Sequence, residues 1–253
     1  MRKVILSLLT GIAAISVSYT VHAEKTLKVA VGVTIPPYVI REEKRGIEYD
    51  ILKEILASQG YRMEPVFVPL SRTLYLLRNK RVDGIMSTGQ IDLPGCYTDH
   101  HITYWNYAIS LSEKNYDIKS VKDLTDKRVV AFQNASEYLG YNYKKMTEKS
   151  KDYREIADQS AQVMQLFNKR ADIIVGDRYI FEWYRKSDQV QEMSDVTQKV
   201  TYHEIFAPSM FAAVFQDYEI CNKFNDGLKQ LKESGRYQEI IESYGVMNTQ
   251  QLN

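Results

Sequence analysis

In an open α/β sheet, ligands collect just beyond the carboxyl ends of the strands, and two strand ends in this chain carry polar groups suited to that place. Ser87-Thr88-Gly89 closes one β-branched run and Gly176-Asp177 closes another. A carboxylate at Asp177 would pair with a cation and be fixed by the N–H groups of a following helix. The alternative is that it merely caps the helix that starts near Tyr179. Acid–base catalysis would need a titratable group aimed into the same cleft, and only Asp177, Glu48 and His203 qualify by place. His100-His101 beside Asp99 is not read as a metal site, because adjacent histidines in a loop rarely converge on one ion. There is no nucleophile–base arrangement, zinc spacing or phosphate loop. The residue types therefore point to binding rather than turnover, with no metal or cofactor expected and no catalytic residue assigned.

The elements that must position these groups announce themselves by an echo. Leu76-Leu77-Arg78-Asn79-Lys80-Arg81-Val82-Asp83-Gly84-Ile85 is answered by Gln165-Leu166-Phe167-Asn168-Lys169-Arg170-Ala171-Asp172-Ile173-Ile174. Each is an apolar helical end, then Asn-Lys-Arg-x-Asp, then a buried strand. The wide spacing suggests two similar α/β halves, not a solenoid. Before the first copy lie a strand over Leu27–Val33, a Pro36-Pro37 break, a helix carrying Ile47, Ile51, Leu52, Ile55 and Leu56, and a strand over Met63–Val68. Ser71 can cap the helix that leads into the first copy. Alternating β and α predicts right-handed crossovers and mainly parallel sheets. Gly89 to Thr103 reads as a loop. Strands are expected over Tyr107–Leu111, Val129–Phe132, Ile173–Val175 and Met210–Phe215, with helices over Val121–Leu124, Ser160–Phe167 and Tyr179–Arg185, and from Cys221 to Tyr244.

Arg2-Lys3, the apolar stretch Val4–Val17 and Val21-His22-Ala23 read as an export signal cleaved before Glu24. The apolar run is shorter than the roughly 20 residues a bilayer requires. The mature chain of 230 residues suits two lobes of about 100–115 residues. Its whole-chain charge is +1, and −1 without Arg2 and Lys3, so no basic field for nucleic acid exists. Cys96 and Cys221 would meet an oxidising compartment, where either a disulfide or two buried thiols is open.

The order of these pieces resembles the family 3 extracellular solute-binding proteins, the polar amino-acid receptors of ATP-driven importers. The carriers are Leu27-Lys28-Val29-Ala30-Val31 with Pro36-Pro37-Tyr38, Gly46-Ile47-Glu48-Tyr49-Asp50-Ile51-Leu52, Arg81-Val82-Asp83-Gly84, Ile118-Lys119-Ser120-Val121-Lys122-Asp123-Leu124, Arg170-Ala171-Asp172-Ile173-Ile174, and Leu231-Lys232-Glu233-Ser234-Gly235-Arg236-Tyr237-Gln238-Glu239-Ile240-Ile241. The resemblance implies a type II periplasmic-binding fold, with lobe 1 over 24–106 and 208–253, lobe 2 over 107–207, and two hinge crossovers. It implies a monomer in the periplasm that takes a small polar or amine-bearing solute and meets a membrane ABC permease. A sensor subunit facing a membrane receptor, or a dehydratase on the same fold, is the alternative.

Carried over residue by residue, the resemblance puts the acid that holds a ligand ammonium on Asp177. It puts donors of lobe 1 on Ser87, Thr88 and Gln90, and those of lobe 2 on Gln133, Asn134 and Ser136. Aromatic clamp positions fall near Ile35, Tyr38 and Leu70. The arginine that grips an α-carboxylate is absent from Gln90 to Tyr97, leaving Arg72 as its lobe 1 substitute and Arg178 as one from lobe 2. Cys96 and Cys221 both fall in lobe 1, which makes a bridge between them geometrically possible.

Overall fold

The computed structural model describes residues 25–89 and 91–246, so the expected export signal lies outside the described residues. The first sheet is built from β1 (Lys25–Val31), β2 (Tyr61–Phe67), β3 (Gly84–Thr88), β4 (Cys96–Tyr104) and, far along the chain, β10 (Ser209–Phe215). Helices α1 (Ile47–Ser58) and α2 (Leu70–Arg78) follow β1 and β2. The second sheet holds β5 (Asn106–Leu111), β6 (Val129–Phe132), β7 (Tyr153–Ile156), β8 (Ile173–Asp177) and β9 (Val200–His203). Its helices are α3 (Ala135–Tyr138), α4 (Tyr141–Thr147), α5 (Gln159–Phe167), α6 (Arg178–Arg185) and α7 (Asp188–Met193); α8 (Tyr218–Glu233) and α9 (Arg236–Ser243) then return to the first lobe.

The strand orders are β2-β1-β3-β10-β4 and β7-β6-β8-β5-β9. In each lobe three strands pair in parallel, one strand runs against them (β10 and β5), and the last (β4 and β9) pairs antiparallel to that one. The inner parallel strands β1, β3, β6 and β8 are mostly buried, as Val29, Val31, Ile85, Val129, Ala131, Ile173 and Val175 show, because helices cover both faces. Ala212 in β10 pairs with Thr88, and Asn106 in β5 pairs with Asp177. Both chain crossovers, at Trp105 and over 204–208, therefore join the carboxyl edges of the two sheets. Those edges carry Ser87-Thr88 and Gly176-Asp177.

The echoed phrase is a folding device. In both copies the Asn ends a helix and the Lys takes a left-handed backbone, φ 53° at Lys80 and 59° at Lys169. The following Arg N–H reaches back five residues to close the helix, Arg81 to Leu76 O at 2.9 Å and Arg170 to Gln165 O at 2.8 Å. The Asp then pins a neighbouring parallel strand of its lobe: Asp83 accepts from Lys28 N in β1 at 2.7 Å, and Asp172 accepts from Arg128 N, just before β6, at 3.0 Å.

The segment expected as a loop from Gly89 to Thr103 is instead mostly strand β4. Asp99, His100 and His101 hide the strand character, since the alternation Cys96-in, Thr98-in breaks where β4 shifts register against β10. Cys96 at the start of β4 is bonded to Cys221 in α8, with Cα atoms 6.3 Å apart. Short elements that carry little periodicity, namely α3, α4, β7, α7 and β9, also lack a sequence signal.

Candidate functional site

Asp177 ends β8 and opens α6, so its backbone position is dictated by strand pairing and its side chain by the helix start. Oδ1 accepts from Tyr179 N at 2.9 Å and Ile180 N at 3.1 Å, and Oδ2 accepts from Trp105 N in the crossover at 2.8 Å. The Tyr38 hydroxyl, from the other lobe, donates to both oxygens at 3.0 Å. A carboxylate offers about four lone-pair sites, and here they meet four donors. Asp177 is 4% exposed. Burial pushes its pKa up to about 6, against the pull of the Ile180, Trp105, Tyr38 and Tyr179 donors.

Tyr38 is held just as firmly. Gly46, at φ 141°, lets the chain lie against the Tyr38 carbonyl, where a Cβ would stand 2.2 Å from that oxygen. Helix α1 then spends its free N–H groups on the same loop, Ile47 N to Pro37 O at 2.8 Å and Glu48 N to Tyr38 O at 3.2 Å. The Tyr38 ring stacks on Tyr104, centroids 4.0 Å apart and planes 21° apart. Tyr104 donates to Glu48 Oε2 at 3.1 Å, and His101 Nε2 meets Glu48 Oε1 at 3.1 Å. Burial, then the Asp177 charge, holds the Tyr38 phenol well above its ordinary pKa; burial, then Glu48, does the same for Tyr104. Both phenols are therefore neutral donors.

The remaining expected residues spread along the two carboxyl edges. Thr88 is buried and gives its hydroxyl to Gly89 O at 3.1 Å, while Ser87 is half-buried. Gln90 lies outside the described residues. Arg72 is exposed in the first turn of α2. Gln133 and Asn134 are exposed and Ser136 half-buried, at and after the end of β6. The N–H groups of Asn134 and Ser136 donate to Glu155 at 2.7 and 2.8 Å, and the Tyr153 hydroxyl joins them at 2.7 Å. Burial raises the Glu155 pKa, but these donors outweigh it and hold the carboxyl below its usual value. Arg178, also considered, places its guanidinium 5.1 Å from the centre of the Tyr202 ring.

Of the three acid–base candidates, Asp177 is saturated as described and Glu48 has one partner on each oxygen. His203 pairs with Ser110 Oγ at 2.9 Å inside lobe 2, and burial lowers its pKa. No group of three His, Cys, Asp or Glu among the described residues could hold a metal ion, and no helix there is long and apolar enough to cross a membrane. Trp105, Tyr104, Glu48 with His101, and Glu155 line or support this candidate site with no sequence signal that groups them. Glu155 sits on an edge strand with no periodicity, and the rest are joined by contacts spanning 53 to 72 residues.

No protein-family model matches the chain. It is 23% identical over 255 residues to an arginine-binding periplasmic protein of Mannheimia haemolytica, spanning 96% of this chain and 98% of that one. Over nearly its whole length the chain is similar to that protein. Among solved structures it superposes on an ancestral cationic amino acid solute-binding protein with a TM-score of 0.67 at 22% identity, covering 87% of this chain and 95% of that one. It also superposes on a histidine kinase sensor domain similar to periplasmic binding proteins, with a TM-score of 0.63 at 17% identity and coverage of 88% and 96%. The fold is that of the two-lobed periplasmic binding proteins.

Proposed function

We propose that this chain is an exported, non-catalytic receptor that captures a small amino-acid-like solute between its lobes and delivers it to a membrane transporter. The observation that carries this reading is end-to-end similarity to an arginine-binding protein, joined to two sheets whose carboxyl edges meet at paired crossovers. In this reading Asp177 anchors the cationic group of the solute from lobe 2. Ser87, Thr88, Gln90 and Arg72 hold the other end from lobe 1, and Gln133, Asn134, Ser136 and Tyr38 complete the wall. The ligand has to touch both lobes, since only differential affinity favours the closed arrangement.

The test is thermal denaturation of the protein lacking residues 1–23 with L-arginine, L-lysine, L-histidine, L-glutamine and L-glutamate. A ligand at a hundred times its Kd adds about 2.7 kcal/mol, a rise of about 5–11 °C in a chain this long. A rise with the cationic members is expected; a flat response to all five overturns the reading. The likeness to a kinase sensor domain favours one second reading, a sensor subunit. Ligand-dependent capture of a membrane kinase, with no permease, would replace the importer by the sensor.

A further inference from the structure

Tyr38 belongs to the first lobe and Asp177 to the second, 139 residues apart, yet the phenol spans the junction to both carboxylate oxygens. We infer that Tyr38 is a built-in occupant of the cleft's anionic anchor: its hydroxyl takes the place on Asp177 that a solute's cationic donor needs, ties the lobes together from within, and must be displaced before such a solute is held. Three of the four donors on Asp177 are main-chain N–H groups of α6 and the crossover. They cannot leave without unwinding the helix start or the hinge. The Tyr38 hydroxyl is the one donor that can leave while every strand and helix stays intact.

The phenol is aimed, not floating. Its ring is clamped on Tyr104 and its backbone is tied to the start of α1. Tyr179 of α6 packs at 6.2 Å from the same ring, and Trp183 of α6 packs against the first lobe's core. An ammonium–carboxylate bond is roughly twice as strong as one from a neutral donor, so a cationic solute can win the exchange but pays for the displaced phenol in affinity. Glu155 fills the N–H groups of Asn134 and Ser136 in the same manner, inside lobe 2. Of these two contacts only that of Tyr38 joins the lobes, where Lys186 of the second lobe also donates to Gly245 O of the first. Displacement rests on the receptor reading above; self-closure does not.

Small-angle scattering of the protein without added solute tests self-closure, with Tyr38→Phe beside wild type and Tyr237→Phe as control. Tyr237 donates to His101 O within lobe 1 at 3.0 Å, so its loss removes a phenol hydrogen bond inside one lobe and leaves the Tyr38–Asp177 contact in place. A compact chain of this length has a radius of gyration near about 17 Å. Wild type and Tyr237→Phe are expected at the compact value, with Tyr38→Phe larger by about 1 Å from rigid lobe rotation. An expanded wild type, or a Tyr38→Phe as compact as wild type, overturns the inference by reducing the contact to a pin at the pivot. Should Tyr38→Phe not fold, the wild-type curve alone decides. Where L-arginine binds, calorimetry is expected to show roughly tenfold tighter binding to Tyr38→Phe, and equal or weaker binding overturns displacement. If none of the five amino acids binds either protein, the receptor reading is at fault and the scattering still decides closure.

Discussion

At the scale of the residue, Asp177 shows how one side chain can be both forced and costly. Its four donors favour the charged form, but burial wins and the pKa stands at about 6. The folded protein thus holds this proton more tightly than the unfolded chain, whose aspartate titrates near about 3.9. Stability from the group is fully present below about pH 4 and is lost as the pH rises through about 6, by about 3 kcal/mol in all. The difference in urea midpoint between wild type and Asp177→Asn, followed from pH 4 to 7, is expected to shrink over that window. A difference that stays constant would mean the carboxyl titrates alike in both states. The opposite sign holds at Asp172, where the Arg128 hydrogen bonds pull the pKa down to about 2, so its contribution is present at neutral pH and fades only in strong acid.

At the scale of the element, the repeated Asn-Lys-Arg-x-Asp phrase and the disulfide do different work. The phrase stops a helix and pins a strand in each lobe by local hydrogen bonds. The disulfide ties the start of β4, the strand that leads into the first crossover, to α8 across a separation of 125 residues. Closing so long a loop removes unfolded-state entropy of about 4–5 kcal/mol. Reduction, or Cys96→Ala with Cys221→Ala, is expected to lower the urea-derived stability by that order while leaving the far-ultraviolet circular dichroism of the folded chain unchanged. A loss below about 1 kcal/mol would show that the reduced, unfolded chain is already constrained there.

At the scale of the molecule, two crossovers make a hinge, and ligand-driven closure is rotation about it. The chain has two tryptophans, and both flank this hinge. Trp105 is the first crossover and is 40% exposed; Trp183 packs between α6 and the core of the first lobe. Titration with L-arginine is expected to shift the intrinsic fluorescence, and Trp105→Phe to remove most of that shift. Binding seen by calorimetry with silent tryptophans would deny the hinge motion.

The sequence by itself determined what local physics controls. The helix ends at Asn79 and Asn168 follow from short-range capping, and the buried strands Ile173–Val175 and Val129–Phe132 from β-branched runs. The halves showed in the echo, and Asp177 was visible as a polar residue ending an apolar strand. Strand β4 was missed because charged and histidine side chains on one stretch mask its alternation. Only the tertiary structure decided what Asp177 touches. Its saturation requires a phenol from lobe 1 and an N–H from the crossover, and such long-range pairings leave no periodic trace in the chain. The same holds for Glu155 on the start of α3, where a side chain from a neighbouring strand fills donors that the sequence left looking free.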